Sequence, residues 1–404
     1  MNVFQLESGA KLLYDSSKYS TVTLANIPFG SALEEERYAG VAHFIEHLLF
    51  TKTRKHTRKE ISFNIEKTGS ITNAYTKKEA TAYYVKGLPD FFEKNLDILF
   101  DCLFNSVFDK KEIETERKII LSEITEIKDN PTRFVFQNFL SDLYHKHPLG
   151  FETAGTEKSV SSIKKKDIER YFKECYSPNN FCFSINTSIP ARRILDSVER
   201  RLPDLKKRKQ PAGMKKFNLS SWKPRESMLL KDLEQTHVCM GFPFSSKDNN
   251  QLAVFNLLSA MLGEGLSSVL FQELREKRGL CYDVHSFVDG DKNHAFFCVY
   301  LATNPKNYLK AIHLIEQEFN NLKNGSITDK QLARARAYFK GKQLIAREDP
   351  LVMAEQNIFA DTFGFRQFED FLALATLKTK KDIQTVCKEA VPEEFTKTIL
   401  CPKK

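Results

Sequence analysis

Residues 40–50 read GVAHFIEHLLF and place two histidines and a glutamate within one short segment. If this segment is helical, His43 and His47 lie four residues apart on one face, with Glu46 beside them. The apolar residues between them would bury the other faces and give the histidines a rigid base. Zinc in hydrolases is often held by two His and one Glu, with a fourth position left for water. The segment therefore predicts two zinc ligands and a base, Glu46, that accepts a proton from that water.

An HxxEH string is short enough to occur by chance, so the prediction needs a third ligand. The best candidate is Glu123. On a helical wheel, Glu116 and Glu123 fall almost in register, two turns apart, on an apolar stripe between Ile119 and Ile120. Two carboxylates on such a stripe are costly to bury unless they are paired, protonated or bound to a metal. We therefore predict that Glu123 joins the two histidines in holding one Zn²⁺ per chain.

The composition is that of a folded protein with more than one domain. The chain has 404 residues, of which 41% are hydrophobic and 28% are charged, a balance typical of globular proteins and not of disordered ones. A single mixed domain of this length is disfavoured on size, and two domains of roughly 200 residues fit better. The eight cysteines are scattered without a CxxC pair, and we interpret them as reduced packing residues.

The charge distribution gives no sign of a nucleic-acid or membrane partner. The net charge is +9, and part of the excess falls in short basic runs at 164–166 and 206–209. Neither run is interleaved with aromatic residues or belongs to a recognisable nucleic-acid module. No apolar run approaches the ~20 residues that cross a bilayer, and the N-terminal residues lack the pattern of a secretory signal. We therefore expect a cytoplasmic protein with neither kind of partner.

The predicted order of strands and helices repeats in the two halves of the chain. In the first half, strand-like segments lead to a helix that begins near Pro89, and the second half passes from strand to helix near Pro305 in the same way. An internal duplication is the simplest account. The predicted fold class is α+β, with two homologous domains that are each a mostly antiparallel sheet packed with helices.

The boundary between the halves is predicted from composition. Residues 205–226 are rich in Lys, Pro, Gly and Ser and show no periodicity, as expected of a linker. We therefore predict an N-terminal zinc-binding domain at 1–204 and a C-terminal domain at 227–404.

The motif at 43–47 (HFIEH), followed 76 residues later by Glu123, resembles the pitrilysin family of zinc peptidases. That family includes insulin-degrading enzyme, the mitochondrial processing peptidase and many bacterial enzymes. Other family motifs are similar to residues 73–76 (NAYT), 147–150 (HPLG) and 275–282 (REKRGLCY). Two segments, 51–53 and 69–70, depart from the usual pattern, and since both lie beside the predicted chemistry they bear on substrate preference.

The resemblance implies a zinc metalloendopeptidase, and it assigns roles that the residues alone do not. By resemblance, Arg275 and Tyr282 contact the substrate and stabilise the transition state, and Glu116 is an outer carboxylate behind the zinc ligands. Without the resemblance, an Arg at a helix end and a Tyr in a strand more often serve solvation and packing. The peptide substrate would lie as an added strand along Ile71, Thr72, Asn73, Ala74 and Tyr75.

The resemblance also implies an assembly. Family enzymes of double length carry the zinc motif in one half and the Arg/Tyr motif in the other, facing each other across a closed chamber. This chain carries both motifs, so we expect a homodimer in which each chain is half of a clamshell that encloses peptides or unfolded segments. A monomer and a heterodimer remain alternatives. So do a non-catalytic scaffold, which would usually lack part of the metal motif, and a processing peptidase selective for presequences.

Overall fold

The computed structural model describes residues 1–203 and 216–403, which form two compact units, each discontinuous in sequence. Unit 1 takes the described residues of Met1–Glu126, Phe151–Lys215 and Ala346–Gln367. Unit 2 takes those of Ile127–Gly150, Lys216–Ile345 and Phe368–Lys404. Residues 205–215 of the predicted linker lie outside the described residues. Within the described ranges, no helix is both long and apolar enough to cross a membrane.

Eleven strands are found in the described residues. They are β1 (Asn2–Gln5), β2 (Lys11–Ser16), β3 (Thr21–Ile27), β4 (Ile71–Thr76), β5 (Thr81–Gly87), β6 (Cys182–Thr187), β7 (Glu226–Lys231), β8 (Thr236–Phe244), β9 (Cys281–Asp291), β10 (His294–Thr303) and β11 (Thr396–Pro402). The first six belong to unit 1 and the other five to unit 2.

Helices join these strands. In chain order they are α1 (Val41–Leu49), α2 (Arg58–Glu66), α3 (Phe92–Asn105), α4 (Lys110–Asp129), α5 (Pro131–Tyr144), α6 (Glu157–Ser162), α7 (Lys165–Cys175), α8 (Ala191–Glu199), α9 (Asn249–Leu262), α10 (Tyr308–Lys323), α11 (Asp329–Ala346), α12 (Pro350–Thr362), α13 (Phe368–Thr376) and α14 (Lys380–Ala390). A π-helical turn, Phe271–Glu276, precedes β9. The helices predicted to begin near Pro89 and Pro305 correspond to α3 and α10.

The sheet of unit 1 has the order β1-β2-β6-β3-β5-β4, and only the β2–β6 pair is parallel. One face carries the main core, where Phe44 of α1, Leu99 of α3 and Ile120 of α4 pack with Phe183 of β6. This core places α1 and α4 on the same side of the sheet. The zinc motif and Glu123 are therefore on elements that share one core.

The sheet of unit 2 repeats this plan. Its order is β7-β11-β8-β10-β9, and only the β7–β11 pair is parallel. This order matches β2-β6-β3-β5-β4 of unit 1 strand for strand, with the parallel pair at the same place. The predicted α+β class, with two mostly antiparallel sheets packed with helices, is confirmed.

Each unit contains one helix from the other half of the sequence. Helix α12 packs on the second face of the unit 1 sheet, where Ala354 meets Val22 and Leu24. In unit 2, helix α5 packs on β8 and β11, and Thr398 donates a hydrogen bond to Asp142 (2.6 Å). The two units are therefore not divided as predicted, into residues 1–204 and 227–404. Helices α5 and α12 each pack on a sheet whose strands come from the other half of the sequence.

Ion pairs reinforce the attachment of α12 to unit 1. Lys11 of β2 pairs with Asp361 at 2.7 Å, and Lys86 of β5 pairs with Asp349 at 2.8 Å. All four side chains are at least partly exposed, so each pair contributes little to stability, and the apolar contact does most to hold the helix.

A charged side chain buried between α12 and the sheet should destabilise unit 1. We expect Ala354→Asp to lower the free energy of unfolding by about 3 kcal/mol or more, because the carboxylate would be buried against Val22 and Leu24 without a partner. Chemical denaturation measures the change, and Glu355→Gln on the same helix is the control, expected to change stability little. An unaltered midpoint for Ala354→Asp would contradict the packing of α12 on β3.

Candidate metal centre

Helix α1 forms the base of the site. The apolar side chains between and after the histidines are all fully buried: Phe44, Ile45, Leu48 and Leu49. His43 and His47 project from the remaining face, with ring centroids 4.6 Å apart. Because the helix is packed on its other faces, the two imidazoles have a fixed platform, as the sequence pattern predicted.

The start of α1 is fixed by a glycine and a buried carboxylate. Gly40 has a φ of 93°, and a Cβ there would lie 2.6 Å from the carbonyl oxygen of Ala154. Glu34 accepts hydrogen bonds from the backbone N–H groups of Gly40 (2.7 Å) and Ala42 (2.6 Å), the task of a capping side chain. Burial raises the pKa of Glu34 to about 8, although these two hydrogen bonds oppose the shift. This role of Glu34 was not predicted from the sequence, because Glu34 lies outside the helix that it caps.

Glu123 of α4 faces both histidines. Its Oε2 lies 3.6 Å from Nε2 of His43 and 3.6 Å from Nε2 of His47. One ligand atom from each of the three residues lies within 4.8 Å of the others, and no other group of His, Cys, Asp and Glu in the described part of the chain does so. Two imidazole nitrogens and a carboxylate oxygen are the donor set of many catalytic zinc sites, so these residues fit the predicted Zn²⁺.

The two histidines differ in protonation. Burial, aided by the charge of His47, lowers the pKa of His43 to about 4, so its imidazole is neutral, the form that binds a metal. Burial also disfavours the charged form of His47, but the hydrogen bond with Glu116 and the nearby carboxylate of Glu123 outweigh burial and raise the pKa of His47 to about 9. Binding of a metal by Nε2 of His47 would release that proton.

A second carboxylate lies behind His47. Oε2 of Glu116 is 3.0 Å from Nδ1 of His47, and this hydrogen bond directs Nε2 towards Glu123. Burial would raise the pKa of Glu116, but hydrogen bonds from His47 and Arg58 hold it below the usual value. Glu116 thus contacts His47 through the ring nitrogen that points away from Glu123, and its role as an outer carboxylate behind a zinc ligand stays a prediction.

The buried face of α4 differs slightly from the predicted stripe. Glu116 is buried together with Ile120, whereas Ile119 is 44% exposed and Glu123 is half-buried. The buried stripe of α4 therefore runs to one side of the predicted position, along Ile113, Glu116, Ile120 and Ile124. Glu123 lies at its margin, where the carboxylate reaches both the histidines and solvent.

Glu46 is held by the neighbouring edge strand. Oγ1 of Thr76, the last residue of β4, donates a hydrogen bond of 2.5 Å to Oε2 of Glu46. Burial raises the pKa of Glu46, and the Thr76 hydrogen bond offsets part of the shift. The contact between Thr76, which belongs to the NAYT segment, and Glu46 is not visible from their spacing in the sequence.

The predicted substrate residues form the exposed edge of the unit 1 sheet. All five lie in β4: Ile71, Thr72, Asn73, Ala74 and Tyr75. β4 pairs with β5 in an antiparallel register, and among the described residues no strand pairs with its other edge. An edge of this kind offers main-chain groups for one added strand. The binding of substrate by these residues stays a prediction.

Arg275 and Tyr282 meet within unit 2. Arg275 lies in the π-helical turn, and its guanidinium is 4.8 Å from the ring centroid of Phe271 and 5.2 Å from that of Tyr282. Tyr282 is 71% exposed, so it is not an ordinary packing residue of β9. The two side chains form one exposed cation–π pair, and their role in catalysis stays a prediction.

Two family models match the chain. Residues 12–157 match "Insulinase (Peptidase family M16)", and residues 162–339 match "Peptidase M16 inactive domain". The chain is 30% identical over 358 residues to an uncharacterized zinc protease of Rickettsia felis, which covers 88% of this chain and 86% of that protein. The chain belongs to peptidase family M16. This confirms the predicted pitrilysin resemblance, and the zinc motif and Glu123 both fall in the insulinase segment.

A further relative and two solved structures are also similar to the chain. The uncharacterized zinc protease YmxG of Bacillus subtilis is 29% identical over 319 residues, 79% of this chain and 77% of that protein. A crystal structure of a protease from Helicobacter pylori superposes with a TM-score of 0.93 at 20% identity and covers 99% of both chains. The M16 inactive domain from Pseudomonas fluorescens has a TM-score of 0.87 at 19% identity and covers 100% of this chain and 98% of that one. At such identities the two structures support the fold alone.

Measurements of zinc binding should distinguish the predicted roles of Glu123 and Glu116. We expect Glu123→Gln to lower zinc occupancy strongly, because it weakens a direct ligand. Glu116→Gln should weaken zinc binding only ~10–100-fold, the usual cost of losing an outer hydrogen-bond partner. Metal analysis after dialysis against a zinc buffer measures both variants. Equal loss in both, or greater loss in Glu116→Gln, would mean that the two roles are reversed.

Proposed function

We propose that this M16 chain is a zinc metalloendopeptidase that hydrolyses peptides or unfolded segments. One observation carries the proposal: His43, His47 and Glu123 converge within 4.8 Å, and Glu46 projects from the same helix as the histidines. Relatives named as zinc proteases support it. A chain that only bound peptides would need neither the ligand set nor a buried base beside it.

The chemistry divides between the metal and the chain. A zinc ion held by the three ligands would supply a Lewis acid that polarises a water molecule and the scissile carbonyl. Glu46 accepts the proton of the attacking water and returns it to the leaving amine. Burial raises the pKa of Glu46, which makes its carboxylate a stronger base than an exposed one, and Thr76 holds one of its oxygens in place.

The edge of β4 is the proposed binding site for the backbone of the peptide substrate. An added strand there would make main-chain hydrogen bonds that depend little on side-chain identity. Because Thr76 ends β4 and also holds Glu46, a peptide lying along β4 would pass close to the base. Arg275 and Tyr282 are the proposed donors to the oxyanion.

Removal of the base tests this mechanism. We expect Glu46→Gln to abolish peptide turnover while zinc stays bound, because the amide cannot accept the proton but leaves the ligands intact. Loss of a general base alone lowers the rate ~10²–10⁴-fold. A fluorogenic peptide assay and zinc analysis of the same sample measure the two effects. Turnover near that of the wild type would exclude Glu46 as the base.

A non-catalytic scaffold is the second candidate, because the second half matches a model described as an inactive domain. Zinc content and chelator-sensitive hydrolysis decide between the two. One zinc per chain, with hydrolysis that a chelator stops and zinc restores, favours the enzyme. Bound peptide without cleavage favours the scaffold. A cleavage profile on a random peptide library then separates a general peptidase from a processing peptidase.

We also propose a homodimer in which each chain's Arg275 and Tyr282 complete the zinc site of its partner. This accounts for both motifs on one chain of 404 residues and gives two equivalent sites within a closed chamber. A chamber of this kind would limit substrates to peptides and unfolded segments. Opening and closing would gate their entry.

Mixing of two inactive variants tests completion in trans. His43→Ala and Arg275→Ala should each be nearly inactive, since one lacks a zinc ligand and the other an oxyanion donor. In co-refolded samples, half of the dimers are mixed and each has one intact site, so activity should return to at most about a quarter of the wild-type value. No recovery, with mixed dimers shown to form, would rule out a shared site and favour a monomer or another partner.

A cytoplasmic location is part of the proposal. The eight cysteines are unpaired in the structure, and six of them are buried. Free thiols in such number suit a reducing compartment.

A further inference from the structure

Arg58 connects the outer carboxylate of the metal centre to a second acidic residue. Its Nη2 donates to Oε1 of Glu116 at 2.6 Å and to Oε2 of Glu112 at 2.7 Å. Glu116 is therefore engaged through both oxygens, Oε1 by Arg58 and Oε2 by His47. The side chain of Glu116 is only 4% exposed, so water has little access to either oxygen.

The local structure of α2 explains the position of Arg58 at the start of the helix, but it does not explain why this residue is an arginine. Thr57 and Glu60 form a capping box that fixes the start of α2, so Arg58 is the first residue of the helix. A cation at a helix N-terminus is opposed by the helix dipole, and the capping box is formed by Thr57 and Glu60 without Arg58. Helix formation thus gives no reason for an arginine at this position.

The carboxylates supply that reason. Glu112 and Glu116 are four residues apart on α4, so they are neighbours on one face and repel each other. One guanidinium nitrogen carries two N–H groups, enough for one hydrogen bond to each. Without Arg58, Oε1 of Glu116 would lose its partner in a buried place next to the charge of Glu112. The carboxylate would then turn towards water, and its hydrogen bond with His47 would be lost.

We infer that Arg58 is a positioning residue of the metal centre: it holds the Glu116 carboxylate against Nδ1 of His47 and thereby strengthens zinc binding by the three ligands. The inference rests on the proposed zinc site, although not on peptide hydrolysis. It predicts that zinc affinity depends on Arg58, although Arg58 contacts Glu116 and Glu116 in turn contacts the proposed ligand His47. Such outer contacts typically change metal affinity ~10–100-fold.

Zinc titration of the metal-free full chain against a chromophoric chelator tests the inference. We expect Arg58→Met to raise the zinc Kd ~10-fold or more, and Arg58→Lys to restore part of the affinity, since lysine keeps the charge but not the planar fork. Lys59→Met removes an equal charge from the same turn of α2 and should change the Kd much less. Thermal unfolding of the metal-free variants checks that each is folded.

The double variant Arg58→Met/Glu116→Gln shows whether Arg58 acts through Glu116. If it does, the double variant binds zinc no more weakly than Glu116→Gln alone, because the second loss removes nothing further. Additive losses, an unchanged Kd in Arg58→Met, or an equal loss in Lys59→Met would each overturn the inference. A wild-type chain that binds zinc tightly but cleaves no peptide would refute the proposed peptidase while leaving this inference standing.

Discussion

The burial of helix α1 is the constraint on which the metal centre depends. All six apolar side chains of α1 have no exposed surface, and the N-terminus of the helix is held by Glu34 and by a glycine whose position admits no Cβ. A zinc site needs its ligands fixed before the metal arrives, because ordering them at the moment of binding would cost affinity. The fold supplies this order through packing, and the proposed chemistry uses the three polar residues of α1, His43, Glu46 and His47.

Charge sets the second constraint. Glu46, Glu116 and Glu123 lie around two imidazoles on α1 and α4, and Glu116 is almost fully buried. Carboxylates this close together are stable only beside cations or hydrogen-bond donors. Glu116 has His47 and Arg58 as partners, and Glu46 has Thr76. Glu123 lies beside the two imidazoles. The two glutamates of α4 differ in their contacts, since both oxygens of Glu116 accept hydrogen bonds whereas Oε2 of Glu123 lies near Nε2 of both histidines. This difference is the basis of the separate roles proposed for them.

The sequence predicted those parts of the site that depend on local periodicity. The spacing of His43 and His47 on an apolar helix and the in-register position of Glu123 are properties of single helices, and they were visible without any tertiary information. Glu34, Arg58 and Thr76 were missed, because each acts on a residue that is distant in sequence and belongs to another element. The exchange of α5 and α12 was missed for the same reason: amphipathic helices do not encode which of two similar sheets they cover. Ile119 is exposed although the helical wheel placed it beside the buried stripe, so a wheel gives the direction of a buried face only approximately.

The duplication shows what distinguishes a metal site from its scaffold. Helix α9 follows β8 in unit 2 as α1 follows β3 in unit 1, on strands that hold the same place in the two sheets. In α9 ten of fourteen residues are buried, almost all of them apolar, and the helix carries no histidine. The same strand order therefore supports a ligand-bearing helix in one unit and a purely structural one in the other, and unit 2 instead displays the Arg275–Tyr282 pair next to β9. The fold alone thus does not account for the proposed zinc chemistry, which rests on the two histidines, on Glu123 as the third proposed ligand, and on Glu46 and Glu116 beside them.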